Sequence, residues 1–408
     1  ESGSYVRKFY GVLQTPQVAN TVPPTARQPS QIAFLGITNT DIYVAGVGNT
    51  ENSVITYEVR DSLGIPIDKT KRVFATFGLE FYSNNNVGGG MPPQIIPSAG
   101  STDDSGKLRT AIVSGTQAGV VQIVARLQLP GGGQVASQPV RVSIHAGFAD
   151  QRHFTITPSR WVTPGYDPLT AFPFFNQVQF TTVVADTFSN PVQQKTAVYY
   201  NSQAGVMQTG TTGDRSTYTD NTGISTSWLF TVNPKPIAPP FCDLAAGSGR
   251  QGYHWVYAQT QGRGGKWVID SVLVVWNKAP IVLTGMPIAT VQVPRALSSL
   301  PISITVKDIN GNPLCDGTTI TAIIDFTSDV SGIKFGVGGD LSSSRAFVMP
   351  NASYARFPGA NITDFSFFVS DLSTNGGAPV GQSMIVTLEI VSPNLATRVV
   401  SFAAVIVP

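Results

Sequence analysis

Val306-Lys307-Asp308-Ile309-Asn310-Gly311-Asn312-Pro313-Leu314 recurs, in variant form, three times along this 408-residue chain. The earlier copies are Val59-Arg60-Asp61-Ser62-Leu63-Gly64-Ile65-Pro66-Ile67 and Val184-Ala185-Asp186-Thr187-Phe188-Ser189-Asn190-Pro191-Val192. Asp61 to Asp186 is 125 residues and Asp186 to Asp308 is 122, a period of about one domain. Each copy reads as a strand, a turn built from Asp, Gly or Asn, and Pro, and then another strand. Asp61, Gly64, Pro66, Asp186, Pro191, Asp308, Gly311 and Pro313 are therefore expected as turn residues. A second motif keeps register with the first in two copies, as Thr102-Asp103-Asp104-Ser105-Gly106 and Thr219-Asp220-Asn221-Thr222-Gly223. The third copy has no clear equivalent.

Outward from these turns the chain alternates apolar and polar residues with the period of two that a half-buried strand requires. Val54–Val59, Leu108–Val113, Gln177–Val184, Lys266–Trp276, Pro301–Val306 and Met384–Val391 show it. Asn84 to Pro97 has no periodicity and reads as a loop. No long amphipathic run carries helix caps. The expectation is an all-β chain of three tandem sandwiches over residues 30–146, 147–279 and 280–408. Residues 1–29 precede them as an extended amino-terminal arm, with a Pro-rich linker from Thr21 to Pro29. A start at Glu1 fits removal of a leader, as in secretion.

Hydrophobic residues make up 42% of the chain, enough for folded domains, whereas charged residues make up only 12%. Soluble domains typically carry about 25%. So sparse a charge leaves a surface of Thr, Ser, Asn, Gln and Gly, weakly protected against association. A net charge of +2 without a Lys/Arg cluster argues against nucleic acid and anionic membrane as partners. No apolar run approaches the ~18 residues of a membrane helix. Cys242 and Cys315 fall in different repeats: an inter-domain disulfide and two free thiols are both open readings.

No catalytic set emerges. His145, His153 and His254 have no zinc-ligand spacing, and no Gly-x-Ser-x-Gly elbow is present. The repeated aspartates could supply oxygen to calcium, but no Asp-x-Asp-x-Asp loop supports a metal, and turn chemistry accounts for them. No cofactor is expected. The glycine runs Val87–Gly90 and Gly336–Gly339 lack the Lys-Ser/Thr of a phosphate loop. Tryptophans concentrate in the second repeat; Trp228, Trp255 and Trp267 lie in strand patterns, where core packing is the ordinary reading and sugar stacking the alternative.

The turns resemble those of bacterial immunoglobulin-like domains of the invasin and intimin type, which carry Val-x-Asp-x-x-Gly-Asn-Pro-Val and, later, Thr-Asp-x-x-Gly. Asp308 to Pro313 matches the first turn best; Thr102 to Gly106 matches the second. The resemblance spans most of residues 30–408 and implies three immunoglobulin-like sandwiches at an extracellular location or the cell surface. Family members serve as spacers, adhesins and surface-layer or filament components. The expected role is thus structural or adhesive and non-enzymatic, with partners among copies of itself or cell-surface and matrix molecules. In the assembling version Tyr5, Val6, Phe9, Tyr10, Val12 and Leu13 of the arm add a strand to an exposed sheet edge of the next copy. A polysaccharide-binding module and a monomeric adhesin stalk are the alternatives.

Overall fold

The strand Gln177–Val184 shows why this chain makes sheets. Val178, Phe180, Thr182 and Val184 are fully buried, while the residues between them face outward. Burying each large apolar side chain contributes about 1.5–3 kcal/mol, and a one-residue slip would reverse every one of them. The register is accordingly fixed against Ile224–Phe230 on one side and Phe154–Pro158 on the other.

The structure is a computed structural model, and it describes residues 28–83, 90–165, 177–208, 216–242, 251–350, 363–374, 376–393 and 396–408. The expected arm, including Tyr5, Val6, Phe9, Tyr10, Val12 and Leu13, lies outside the described residues, as do Val87, Gly88 and Gly89. The chain divides into two compact units. Among the described residues, one comprises 28–83 and 91–144 and the other residue 90 and those from 145 to 408.

The first unit holds two sheets. One orders Gln31–Ile37, Asn52–Arg60, Lys107–Val113 and Gln94–Ile96; the other orders Asp41–Tyr43, Val140–His145, Gly119–Gln128, Phe74–Ser83 and Ala99–Ser101, with Gln134–Ala136 added to Gly119–Gln128. The second unit holds four sheets. Residues 154–276 supply Phe154–Pro158, Gln177–Val184, Ile224–Phe230 and Val206–Gln208 in one, with Val162–Thr163, Trp267–Trp276, Tyr253–Gln261, Ala197–Ser202 and Ser216–Tyr218 in its companion. Residues 281–407 repeat the plan. Ile281–Thr284, Ile302–Asp308, Asp364–Asp371 and Phe335–Gly339 form one sheet, and Val291–Pro294, Thr397–Val407, Ser383–Val391, Thr319–Asp325 and Phe347–Val348 the other.

In sequence lettering each pair reads A-B-E-D against A′-G-F-C, the strand order of an immunoglobulin-like sandwich. The short A′ strand lies parallel to the last strand in both sandwiches of the second unit, Val162–Thr163 on Trp267–Trp276 and Val291–Pro294 on Thr397–Val407. Separate interiors fill the sheet pairs: Phe180, Tyr200, Leu229 and Trp276 belong to one, and Val306, Phe367, Leu388 and Ile406 to another.

Short edge strands are where the sequence expectation and the structure differ. Gln94–Ile96 lies inside the stretch expected as a loop, and the glycine run at Gly336 is part of the strand Phe335–Gly339. Three to five residues paired on one side carry too little alternation to stand out.

Candidate functional site

Asp61, Asp186 and Asp308 build one identical turn. The amide of each aspartate donates to the carbonyl four residues on (Ile65, Asn190 and Asn312, 2.9 Å each), and the residue three on (Gly64, Ser189 or Gly311) donates back to the Asp carbonyl. Oδ1 then accepts from inside the turn: from Leu63 and Ile65 N–H at 2.8 and 2.9 Å, from Phe188 and Asn190 N–H at 2.9 Å, and from Asn312 N–H at 2.7 Å. Returning the chain requires a left-handed residue three positions after the Asp. Gly64 (φ 81°) and Gly311 (φ 80°) supply it freely, whereas the middle copy puts Ser189 there at φ 65°. Pro66 and Pro191 then bridge back to Arg60 and Ala185, closing the turn.

The carboxylate has a second task that the sequence pattern did not disclose. Oδ2 of Asp186 accepts from the Gly147 amide at 2.8 Å, and Oδ2 of Asp308 accepts from the Lys278 amide at 3.0 Å. Gly147 and Lys278 lie just before the first strand of their sandwiches. Asp186 and Asp308 therefore each cap their own turn with one oxygen and grip the incoming chain with the other. Ligands of this kind are N–H donors, which suit a carboxylate and not a cation. Asp103 and Asp220 cap their turns likewise, through Ser105 and Lys107 amides and Thr222 and Ile224 amides. Hydrogen bonding lowers both carboxyls below their usual range, led by the Lys107 amide and the Thr222 hydroxyl respectively.

The two motifs keep register because they touch. The Gly106 carbonyl accepts from Val59 N–H at 2.8 Å and the Gly223 carbonyl from Val184 N–H at 2.9 Å. In the third copy, where the second motif has diverged, the Thr363 carbonyl takes the corresponding bond from Val306 at 2.7 Å.

Around Asp308 the second unit carries a dense polar and apolar junction. Asn312 Nδ2 donates to the Gln251 carbonyl at 2.7 Å, Asn277 Nδ2 donates to the Pro313 carbonyl, and Arg160 pairs with Asp316 at 3.5 Å. Val162, Tyr253, Leu273 and Val275 bury Cys315 between them, with Trp161 and Trp255 packed alongside. Burial raises the Asp308 carboxyl to about 6, against the pull of the Asn312 and Lys278 amides. Of the two readings open for the cysteines, the structure has the thiols: Cys242 and Cys315 are both buried outside any disulfide, and Cys315 Sγ lies 3.5 Å from Ser392 Oγ and 3.7 Å from Thr318 Oγ1, its acidity suppressed by burial.

His254 is fully buried, edge-on to Trp276 at 5.0 Å, and burial lowers its pKa to about 3, so it stays neutral. His153 Nδ1 lies 3.2 Å from Asp150 Oδ1. Among the described residues no group of three or more His, Cys, Asp or Glu converges as a metal site, and no described helix is long and apolar enough to cross a membrane.

Core packing for Trp228 and Trp267 is a second correction. Trp228 is 40% exposed and Trp267 49%, and Tyr199 stands edge-on to Trp267 at 5.9 Å. The phase of the alternation decides it. Ser227 and Leu229 take the inward positions, so Trp228 must point out. Trp255 packs half-buried at the junction, and Trp276 is the tryptophan that fills the core.

No protein-family model and no curated protein matches the chain. Among solved structures the chain is similar to FdeC, an Escherichia coli adhesin. The two are 12% identical, with 93% of this chain and 99% of that one covered and a TM-score of 0.43. It is similar to the D0-D1 domain of intimin at 15% identity, covering 61% and 100%, TM-score 0.20. It is also similar to the Yersinia pseudotuberculosis adhesin InvE at 13% identity, covering 62% and 60%, TM-score 0.26. The immunoglobulin-like assignment rests on the strand order itself.

Proposed function

We propose that the chain is a non-enzymatic adhesive surface protein whose three sandwiches, over residues 30–146, 147–279 and 280–408, are spacers that fix where a contact face is presented. The observation that carries this reading is the repeated carboxylate clamp. Asp186 and Asp308 each spend one oxygen on the amide of the chain entering their sandwich, and the Asp308 clamp sits inside an apolar junction closed by Asn277, Asn312 and Arg160. A spacer needs each module held by the segment that leads into it, and the clamp supplies that hold. The sparse charge supports a surface that meets other surfaces.

Two measurements test it. Amide exchange at Gly147 and Lys278 is expected to be slow, as for core strands; exchange as fast as in a free loop would refute the spacer half. Beads coated with the chain are expected to be retained under flow on layers of cells or extracellular matrix, and no retention on any layer would refute the adhesive half.

An assembling form of the same role would use Tyr5, Val6, Phe9, Tyr10, Val12 and Leu13 for strand addition to the next copy, a head-to-tail contact that does not close and therefore makes a filament. Its support is the alternation of the arm sequence. Deleting residues 1–27 is expected to abolish fibres in electron micrographs; fibres unchanged by the deletion would rule the arm out.

A further inference from the structure

The sheet of Phe154–Pro158, Gln177–Val184, Ile224–Phe230 and Val206–Gln208 contains no charged residue in any of its four strands. Its counterparts differ: Asn52–Arg60 and Lys107–Val113 carry Glu, Arg and Lys, and Ile302–Asp308 and Asp364–Asp371 carry Lys and Asp. The outward face of this uncharged sheet is built of Thr, Gln and aromatic rings, with Val183 and Val206 exposed among them. Trp228 pairs directly with Gln208 on one neighbouring strand and with Gln179 on the other, so an indole stands between two amides in one cross-strand row. In the next row Phe230 pairs with Gln177. Gln177, Gln208, Thr226, Trp228 and Phe230, with Tyr218 (61% exposed), line a cleft of about 580 Å³.

We propose that this cleft binds a neutral polysaccharide chain. The inference rests on the adhesive reading and gives it a ligand. A pyranose ring offers an apolar face of C–H bonds and a rim of hydroxyls. An exposed indole answers the first, and amides with both donors and acceptors answer the second. Presenting Trp228 to water without a partner is unfavourable, and its row holds nothing that would form an ion pair with a charged ligand. Among the described residues Asp220 is the charged one of the lining, and its Oδ1 is occupied by the Thr222 and Ile224 amides. Among the described residues no Lys or Arg lines the cleft to recognise a uronate or sulfated glycan. The volume falls within the range of ordinary ligand clefts, about 300–1,000 Å³.

Affinity electrophoresis of the full chain through gels containing a soluble mannan, a galactomannan or a mixed-linkage β-glucan tests the site, with polygalacturonate as the charged comparison. At least one neutral polymer is expected to retard the chain. Trp228→Ala is expected to weaken that retardation at least tenfold, Trp228→Phe to weaken it less, and Trp267→Ala, on the other sheet, to leave it unchanged. Titration with the retarding polymer is expected to shift tryptophan emission in the parent and not in Trp228→Phe, a readout that needs no alanine variant to fold. Absence of retardation by all three neutral polymers overturns the proposal. So does equal retardation of Trp228→Ala, or stronger retardation by polygalacturonate. Bead retention under flow without gel retardation would point to a protein contact: the sugar site would fail and the adhesive reading would stand. Gel retardation without bead retention would do the reverse.

Discussion

Ser189 stands where the other two copies of the turn place glycine, at φ 65°. A left-handed residue with a side chain costs about 1–2 kcal/mol, partly offset because glycine loses more freedom on folding. Ser189→Gly is expected to stabilise the second unit by about 0.5–1 kcal/mol, read as a higher urea midpoint at constant slope; an unchanged or lower midpoint would sink the argument. Asp308 gives a pH signature of unusual sign for a carboxylate. Its folded value is about 6 against an ordinary 3.8, so the folded state binds the proton more tightly than the unfolded one. Its contribution is therefore least favourable above pH 6 and improves as pH falls toward 4, by about 1 kcal/mol between pH 7 and pH 5. Comparing Asp308→Asn with the parent by denaturation at those two pH values isolates this increment, which the variant should lack.

At the scale of elements, the repeat's two motifs are one structural device, because the second turn seats its glycine on the strand that leads into the first. A Cβ on Gly223 would lie 2.5 Å from the Val184 carbonyl, in a backbone conformation with φ of 76°. A Cβ on Gly131, in the Gly131-Gly132-Gly133 hairpin, would meet nothing within 4 Å. Gly223→Ala is expected to destabilise by about 2 kcal/mol or more, and Gly131→Ala to stay within about 0.5 kcal/mol of the parent, both by thermal melting. Similar losses at the two glycines would show that the contact between the motifs carries no strain. The strand alternation in Gln177–Val184 was legible from sequence, as was the turn chemistry of Asp61, Asp186 and Asp308. Edge strands such as Gln94–Ile96 were not, since three residues held by a single neighbour leave no periodic trace.

For the molecule as a whole, the division into units makes a test. Residues 145–408 form one compact unit, and Asn277 donates to the Pro313 carbonyl across the buried junction inside it. Asn277→Ala would leave that carbonyl without its side-chain donor, at a cost of about 1–3 kcal/mol. It is expected to lower the transition of the second unit while leaving that of the first unit unmoved in calorimetry. A shift in both transitions would mean that the units unfold as one. The period of about one domain, the period-two alternation and the Asp-Gly-Pro turns were written in the sequence, because each is local: a residue's neighbours along the chain are enough to set it. Which oxygen of Asp308 reaches the Lys278 amide, whether Cys242 and Cys315 join, and which way Trp228 and Trp267 face depended on the other sheet and on chain 30 or more residues away. Only the packed structure brings those groups together, and the chain pattern alone carries no record of distances between them.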